Sequence, residues 1–329
     1  MQGRGRSAAR RSPRREIDRS PRAAVIATGQ PLATRWHALW SAVDPGDASL
    51  IDRRLDSLRR IVLLYGAARS WLWLRFAPDL PEGGLALTAL WMSICAALSF
   101  GSRRAGWAPV AALAALVPQL WWTFPRTNNH FYLELLVVVL LGVAAGRKGE
   151  DGRLAYRGVV WLTLIVLFHT GLQKVLYGYY FGAEMLAWMV ASSERFGDLF
   201  AMLLPAEETA RLRGYDTMRT GDGPYRVQSP LFIAGSNLVY GAEMALPLLL
   251  ALPATRHLAA IASIALVVLF QLGAREIGFG VLFLQLLMLF LRGDAIGRTL
   301  PATAAFLAWA VAAAYGLLPG RSLVDPGYL

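Results

Sequence analysis

The sequence predicts an all-α protein, a polytopic integral-membrane bundle of about nine spanning helices, with eight or ten as the neighbouring counts. Three observations carry this. Hydrophobic residues make up 56% of the 329-residue chain and charged residues only 17%, with a mean hydropathy of +0.42, too apolar for an ordinary soluble domain. Several apolar stretches approach the roughly 20 residues that a helix needs to cross a bilayer. The basic residues, finally, fall in alternate connections between those stretches, as the positive-inside rule requires.

The chain opens with a basic segment, 1–48, rich in Arg, Ser, Pro and Ala, which reads as a disordered cytoplasmic tail. Residues 1–60 hold 13 arginines against 6 acidic residues, so most of the net charge of +11 sits there. Proximity to a membrane and its anionic lipids explains such a run without nucleic acid as a partner. No signal-peptide core is present, since Ala23 to Thr28 is too short. Ser49 to Arg60 alternates Leu50, Ile51, Leu55 and Leu58 with charges and reads as an amphipathic helix on the membrane surface.

A transmembrane domain, 49–320, follows, with spans expected near 61–78, 84–101, 106–124, 129–146, 157–178, 229–252, 257–274, 276–291 and 300–318. Pro81-Glu82-Gly83-Gly84 marks a turn before the second, and Pro125 ends the third. Arg69 interrupts the first, which calls for snorkelling or an inward-facing partner. Arg103-Arg104, Arg147, Lys148, Arg153 and Arg157, Arg256, and Arg292 and Arg298 mark the inner connections, whereas Asp79 and Glu82 lie in an outer one. The N-terminus is therefore expected in the cytoplasm and the short tail 321–329 outside. Between the fifth and sixth spans, 181–204 is apolar but broken by Ser192-Ser193-Glu194-Arg195 and reads as interfacial or re-entrant helices. The polar loop 205–228 that follows is expected on the outer side, where it can cap a pocket.

Polar residues stranded in apolar runs point to function, because a charge in hydrocarbon costs a few kcal/mol and normally faces a polar interior. Two stretches stand out. Asn128-Asn129-His130 opens the fourth span, with Glu134 one turn on, and His169-Thr170-Gly171-Leu172-Gln173-Lys174 closes the fifth. On this topology both lie near the outer boundary, Lys174 being roughly 25 Å up its helix. Asn237, Tyr240 and Glu243 share one face of the sixth span at increasing depth, while Gln271, Arg275 and Glu276 lie about the outer turn between the seventh and eighth. A pocket lined by His130, Glu134, Lys174, Asn237 and Glu276 is the expectation. A desolvated lysine favours its neutral amine, which can act as a general base, and the positive end of a helix dipole favours a neutral His130. Simpler roles stand beside these: an interfacial lysine, an asparagine helix cap, and Glu134 as the partner of an arginine. The 4 histidines include no close pair, so no metal site is expected, and the lone Cys95 excludes an intramolecular disulfide.

Asn128-Asn129-His130-Phe131-Tyr132-Leu133 resembles the Asn-Asn-His-Ser-Tyr-Leu stretch of the vitamin K-dependent γ-glutamyl carboxylases. Thr170-Gly171-Leu172-Gln173-Lys174-Val175 resembles their Ala-Gly-Val-Lys-Lys-Leu, followed in both by a Gly, here Gly182, and a Met, here Met185. The ordered pair resembles the HTTM domain, the membrane domain that those carboxylases share with many bacterial proteins. The resemblance implies Lys174 as the base that deprotonates reduced vitamin K, a menaquinol-type cofactor, with His130 as the active-site histidine. It also implies chemistry on a peptide or protein substrate at the outer face. Two departures are visible: Gln173 replaces the first lysine, and Gln271 stands where the seventh span often carries a histidine. The carboxylases' large lumenal domain has no counterpart before Leu329.

Three functions remain open from sequence. One is a quinol-dependent, carboxylase- or epoxidase-like lyase. Another is a factor for maturation or export of a peptide toxin of the sporulation-delaying type, without quinol chemistry. The third is a transporter or scaffold, for which no internal inverted repeat is visible. A shared domain does not decide among them.

Overall fold

A 29-residue helix, α1 (Ala48–Phe76), forms the centre around which the other helices pack. Asp47 caps it: Oδ1 accepts from the Ser49 and Leu50 N–H groups at 2.9 and 3.3 Å. The helix stops at Ala77, the residue before a proline, where the α conformation is disfavoured. The computed structural model describes residues 43–77, 79–101, 105–125, 129–145, 150–178, 181–200, 203–214, 227–274 and 277–320, all within one compact unit.

The separate surface helix expected over 49–60 is not formed; those residues are the first turns of α1. Arg54 explains why a charged stretch can continue inward. Its guanidinium is buried and donates to the carbonyls of Leu289, Leu291 and Gly293 and to the Tyr156 hydroxyl, at 2.5–3.1 Å. The last carbonyls of a helix have no partner within it, and this arginine supplies one for the chain leaving α11.

Eleven further α-helices and one short 3-10 helix, Ala105–Trp107, follow among the described residues. The α-helices are α2 (Glu82–Ser99), α3 (Ala108–Thr123), α4 (Asn129–Val143), α5 (Glu150–Tyr177), α6 (Glu184–Ser192), α7 (Glu194–Phe200) and α8 (Ala206–Arg213). Then come α9 (Pro230–Ala251), α10 (Arg256–Ala274), α11 (Ile277–Met288) and α12 (Ala295–Ala314). No β-strand occurs among the described residues. Glu150 and Asp151 favour the positive start of α5, and Gly178, at φ +72°, ends it by returning its N–H to the Lys174 carbonyl. Ser229 and Pro230 open α9 in the same punctuated way.

Each expected span overlaps a helix, but not every one of these helices is long and apolar enough to be a crossing. Four helices, α2, α5, α9 and α12, are long and apolar enough to cross a membrane, and α4, α10 and α11 contain shorter apolar stretches. Large apolar side chains such as Leu90, Trp121, Leu176, Leu238 and Leu258 cover the outside of the bundle, a surface compatible with lipid. The connection between α5 and α9 contains three short helices of 9, 7 and 8 residues with a small core of their own, built on Ala187, Val190, Leu212 and Phe232. Glu208 of α8 accepts from the Gln228 N–H and ties this module to the base of α9.

Candidate functional site

The last turns of α5 cross the middle of α9 at Gly171. A Cβ on Gly171 would stand 2.8 Å from Met244 Cγ and 3.0 Å from both Glu243 Cβ and the Met244 nitrogen. Only the missing side chain lets the two backbones approach this closely. One turn on, Lys174 Nζ donates to both carboxylate oxygens of Glu243, at 2.6 and 2.7 Å. The lysine side chain is 18% exposed and the glutamate 4%, so the pair sits inside the bundle with the lysine on the accessible side. Phe270 of α10 lies beneath the ammonium, 5.5 Å from Nζ to the ring centre. Three helices thus meet around one ion pair.

The other members of the expected set divide among separate contacts. Asn237 donates to the Phe181 carbonyl at 3.1 Å and accepts from the Tyr240 hydroxyl at 2.6 Å, while the Tyr240 ring meets Phe181 edge to face. These two residues fasten the chain leaving α5 onto α9, on the same helix face as Glu243. Gln173 turns instead to His169, 2.9 Å away on the exposed side of α5. Gln271 packs over Gly280 of α11; its side-chain oxygen is buried and has no hydrogen-bond partner among the described residues. Asn128, the Asn129 side chain, Arg275 and Glu276 lie outside the described residues.

Glu134 belongs to a second buried centre. Arg69 of α1 grips it with Nε at 2.6 Å from Oε2 and Nη2 at 3.3 Å from Oε1. The same Nη2 donates to Gln119 Oε1 at 2.8 Å, and the Gln119 amide donates to Ser70 and Thr88 at 2.9 and 2.8 Å. The guanidinium lies 4.2 Å over Trp73 and 4.4 Å over Phe131. Gly66 leaves the room, since a Cβ there would be 2.6 Å from Glu134 Oε1. Of the two readings of Arg69, the inward-facing partner is therefore the one realised, and it joins α1, α2, α3 and α4. Gln119 lies outside the set expected from sequence, yet it carries the same signal as Lys174, a polar side chain inside an apolar run.

His130, one turn before Glu134, stacks on Phe279 of α11 at 4.2 Å, and Phe279 stacks on Phe283 at 5.0 Å. The next residue, Gly280, carries Gln271, and Gln271 neighbours the Phe270 beneath Lys174. The α10–α11 hairpin is thus the structural link between the histidine and the lysine. Among the described residues no group of three His, Cys, Asp or Glu side chains gathers as a metal would require. Compared with family models, curated proteins and solved structures, the chain matches none.

Proposed function

We propose that the protein is an integral-membrane enzyme in which the Lys174–Glu243 pair removes a proton from a quinol, in the manner the HTTM resemblance implies. The observation that carries this reading is that buried pair, held at the Gly171 crossing of α5 and α9. In a low-dielectric interior an ion pair loses much of its advantage over the neutral amine and acid. Transfer of one proton from Nζ to Glu243 leaves Lys174 a neutral amine. That amine then accepts a proton from a bound hydroxyl: the O–H bond breaks, an N–H bond forms, and the electron pair stays on oxygen.

A reduced naphthoquinone would supply an acidic hydroxyl that becomes a reductant once deprotonated. Supporting such a ligand are Gln271, whose buried side-chain oxygen has no partner among the described residues, and the flat apolar faces of Phe270 and the His130–Phe279 stack. The full arrangement we propose has nine spans in a bacterial inner membrane, with the N-terminus cytoplasmic and the C-terminus outside. A peptide or protein is the further substrate we propose, on the resemblance alone; the α6–α8 module, with its own core beside α9, is the part of the chain we assign to it. It would serve equally in a peptide-maturation factor without quinol chemistry.

The test is mass spectrometry of the lipid extract of purified protein, paired with oxygen-dependent consumption of reduced vitamin K. A co-purifying naphthoquinone, and loss of consumption in Lys174→Ala with normal membrane insertion, are expected. Protein that carries no naphthoquinone and consumes none, or a Lys174→Ala variant as active as the parent, overturns the proposal.

A further inference from the structure

At the opposite end of the bundle from Lys174, a cavity of about 900 Å³ opens between the first turns of α1, the end of α4 and the start of α12. Its walls are partly apolar, with Leu55, Leu141 and Leu300, but four arginines line it: Arg53, Arg59, Arg60 and Arg298. None of this chemistry is used by the centre proposed above, and on the positive-inside topology this is the cytoplasmic side.

Two of the arginines are anchored, two are exposed, and all four are underused. Arg59 and Arg60 share a single carboxylate, Asp56, one on each oxygen. Arg59 also reaches the Ser99 carbonyl at 3.4 Å, and Arg60 lies over the Phe100 ring at 5.3 Å, so both are anchored to the end of α2. The Nε of each is nevertheless buried with no partner among the described residues. Arg298 donates through Nε to the Asp294 carbonyl, and Arg53 donates to Ser49 Oγ; neither pairs with a carboxylate among the described residues. Asp294 is committed to capping α12, with Oδ1 on the Gly297 N–H at 3.1 Å. Among the described residues that leaves Asp52 as the lining acid without such a commitment, against two arginines with no carboxylate partner and two that divide one.

Four guanidinium groups, two of them anchored, around a roomy, half-open, partly apolar cavity suit an anion with several acceptor oxygens. We propose that this cavity binds a phosphate ester, with the arginines on the phosphate oxygens and Leu55, Leu141 and Leu300 against the apolar part of the same molecule. Its position at the end of membrane helices makes an anionic phospholipid headgroup the source that the surroundings favour, since basic pockets between helices on that side take such headgroups.

The experiment uses the full chain in nanodiscs of phosphatidylcholine with or without phosphatidylglycerol. Native mass spectrometry reads retained lipid, and a separate arm adds inorganic phosphate and follows thermal unfolding. Preferential retention of phosphatidylglycerol is expected, weakened about fivefold for each arginine removed in Arg298→Gln and in the Arg59→Gln/Arg60→Gln double variant. Arg75→Gln, at the other end of α1, should leave it unchanged. Stabilisation by inorganic phosphate without lipid preference, lost in the same variants, supports the site with a soluble phosphate compound as its source. Equal retention of both lipids together with no response to phosphate overturns the proposal. So does a folded Arg298→Gln variant that binds like the parent, which decides the matter even if the double variant does not fold.

Discussion

Replacing Glu134 by Leu removes a carboxylate that is fully buried and leaves Arg69, equally enclosed, without its counter-charge. Breaking a buried pair in this way costs about 3–5 kcal/mol, because the surviving charge is left desolvated. Arg69→Met should cost a similar amount, about 3–5 kcal/mol, by stranding Glu134 instead. The double variant strands neither charge. Its main remaining loss is Gln119 Oε1, which no longer receives Arg69 Nη2, a penalty of about 1–3 kcal/mol. The double variant should therefore fall short of the sum of the single losses by at least about 3 kcal/mol, at the upper end for neighbouring residues. Unfolding midpoints in detergent micelles, converted through a double-mutant cycle, measure this directly. Additive losses would show that the pair contributes no coupling and would refute the reasoning that places it at the centre of the bundle's stability.

Gly171→Ala tests the crossing that sets the candidate site. Its Cβ would meet Met244 backbone as well as side chain, so the helices must part, with an overpacking cost of about 1–3 kcal/mol and a larger fractional loss of any Lys174-dependent turnover. Asp47 supplies a pH test. The hydrogen bonds it accepts, from the Ser49 hydroxyl first and then the Leu50 N–H, hold its carboxyl below the usual carboxylate range. A depressed folded-state value means the cap's contribution is present above the ordinary carboxylate range and is lost as pH falls through the lowered value. The thermal midpoints of the parent and Asp47→Ala should accordingly differ at neutral pH and converge in acid.

The polar residues stranded in apolar runs were legible as anomalies, and the partners of some were legible too. Arg69 called for an inward partner, Glu134 for an arginine, and the structure pairs the two. What sequence could not supply is relative height. Depth counted along each helix from its loop sets Lys174 near the outer boundary and Glu243 deep, yet they touch. The reason is that the start of α9 is anchored in the α6–α8 core by the buried Phe232, with Ile233 packed against it, so α9 runs on past the end of α5. A connection of short helices contributes no periodicity long enough to reveal such an offset. Arg54 illustrates the other blind spot. In a run of charges it reads as a surface residue, and only the carbonyls at the end of α11, more than 230 positions away, give it a reason to be buried.

Two buried ion pairs in one bundle need not have one kind of role, and their cations separate them. A guanidinium does not give up its proton at any pH a cell reaches, so the Arg69–Glu134 pair can only bind and position. Its carboxylate is fully enclosed, and its neighbours Gln119, Ser70 and Thr88 are all occupied with each other. An ammonium differs in that it can exchange a proton with the carboxylate it touches. Lys174 also keeps part of its side chain accessible, with the Phe270 ring beneath it. Replacing the lysine by arginine should then preserve the pair and the fold while removing the exchangeable proton. Retained stability with lost quinol consumption in Lys174→Arg is the outcome that separates chemistry from architecture. Retention of both would return Lys174 to the structural class that Arg69 occupies.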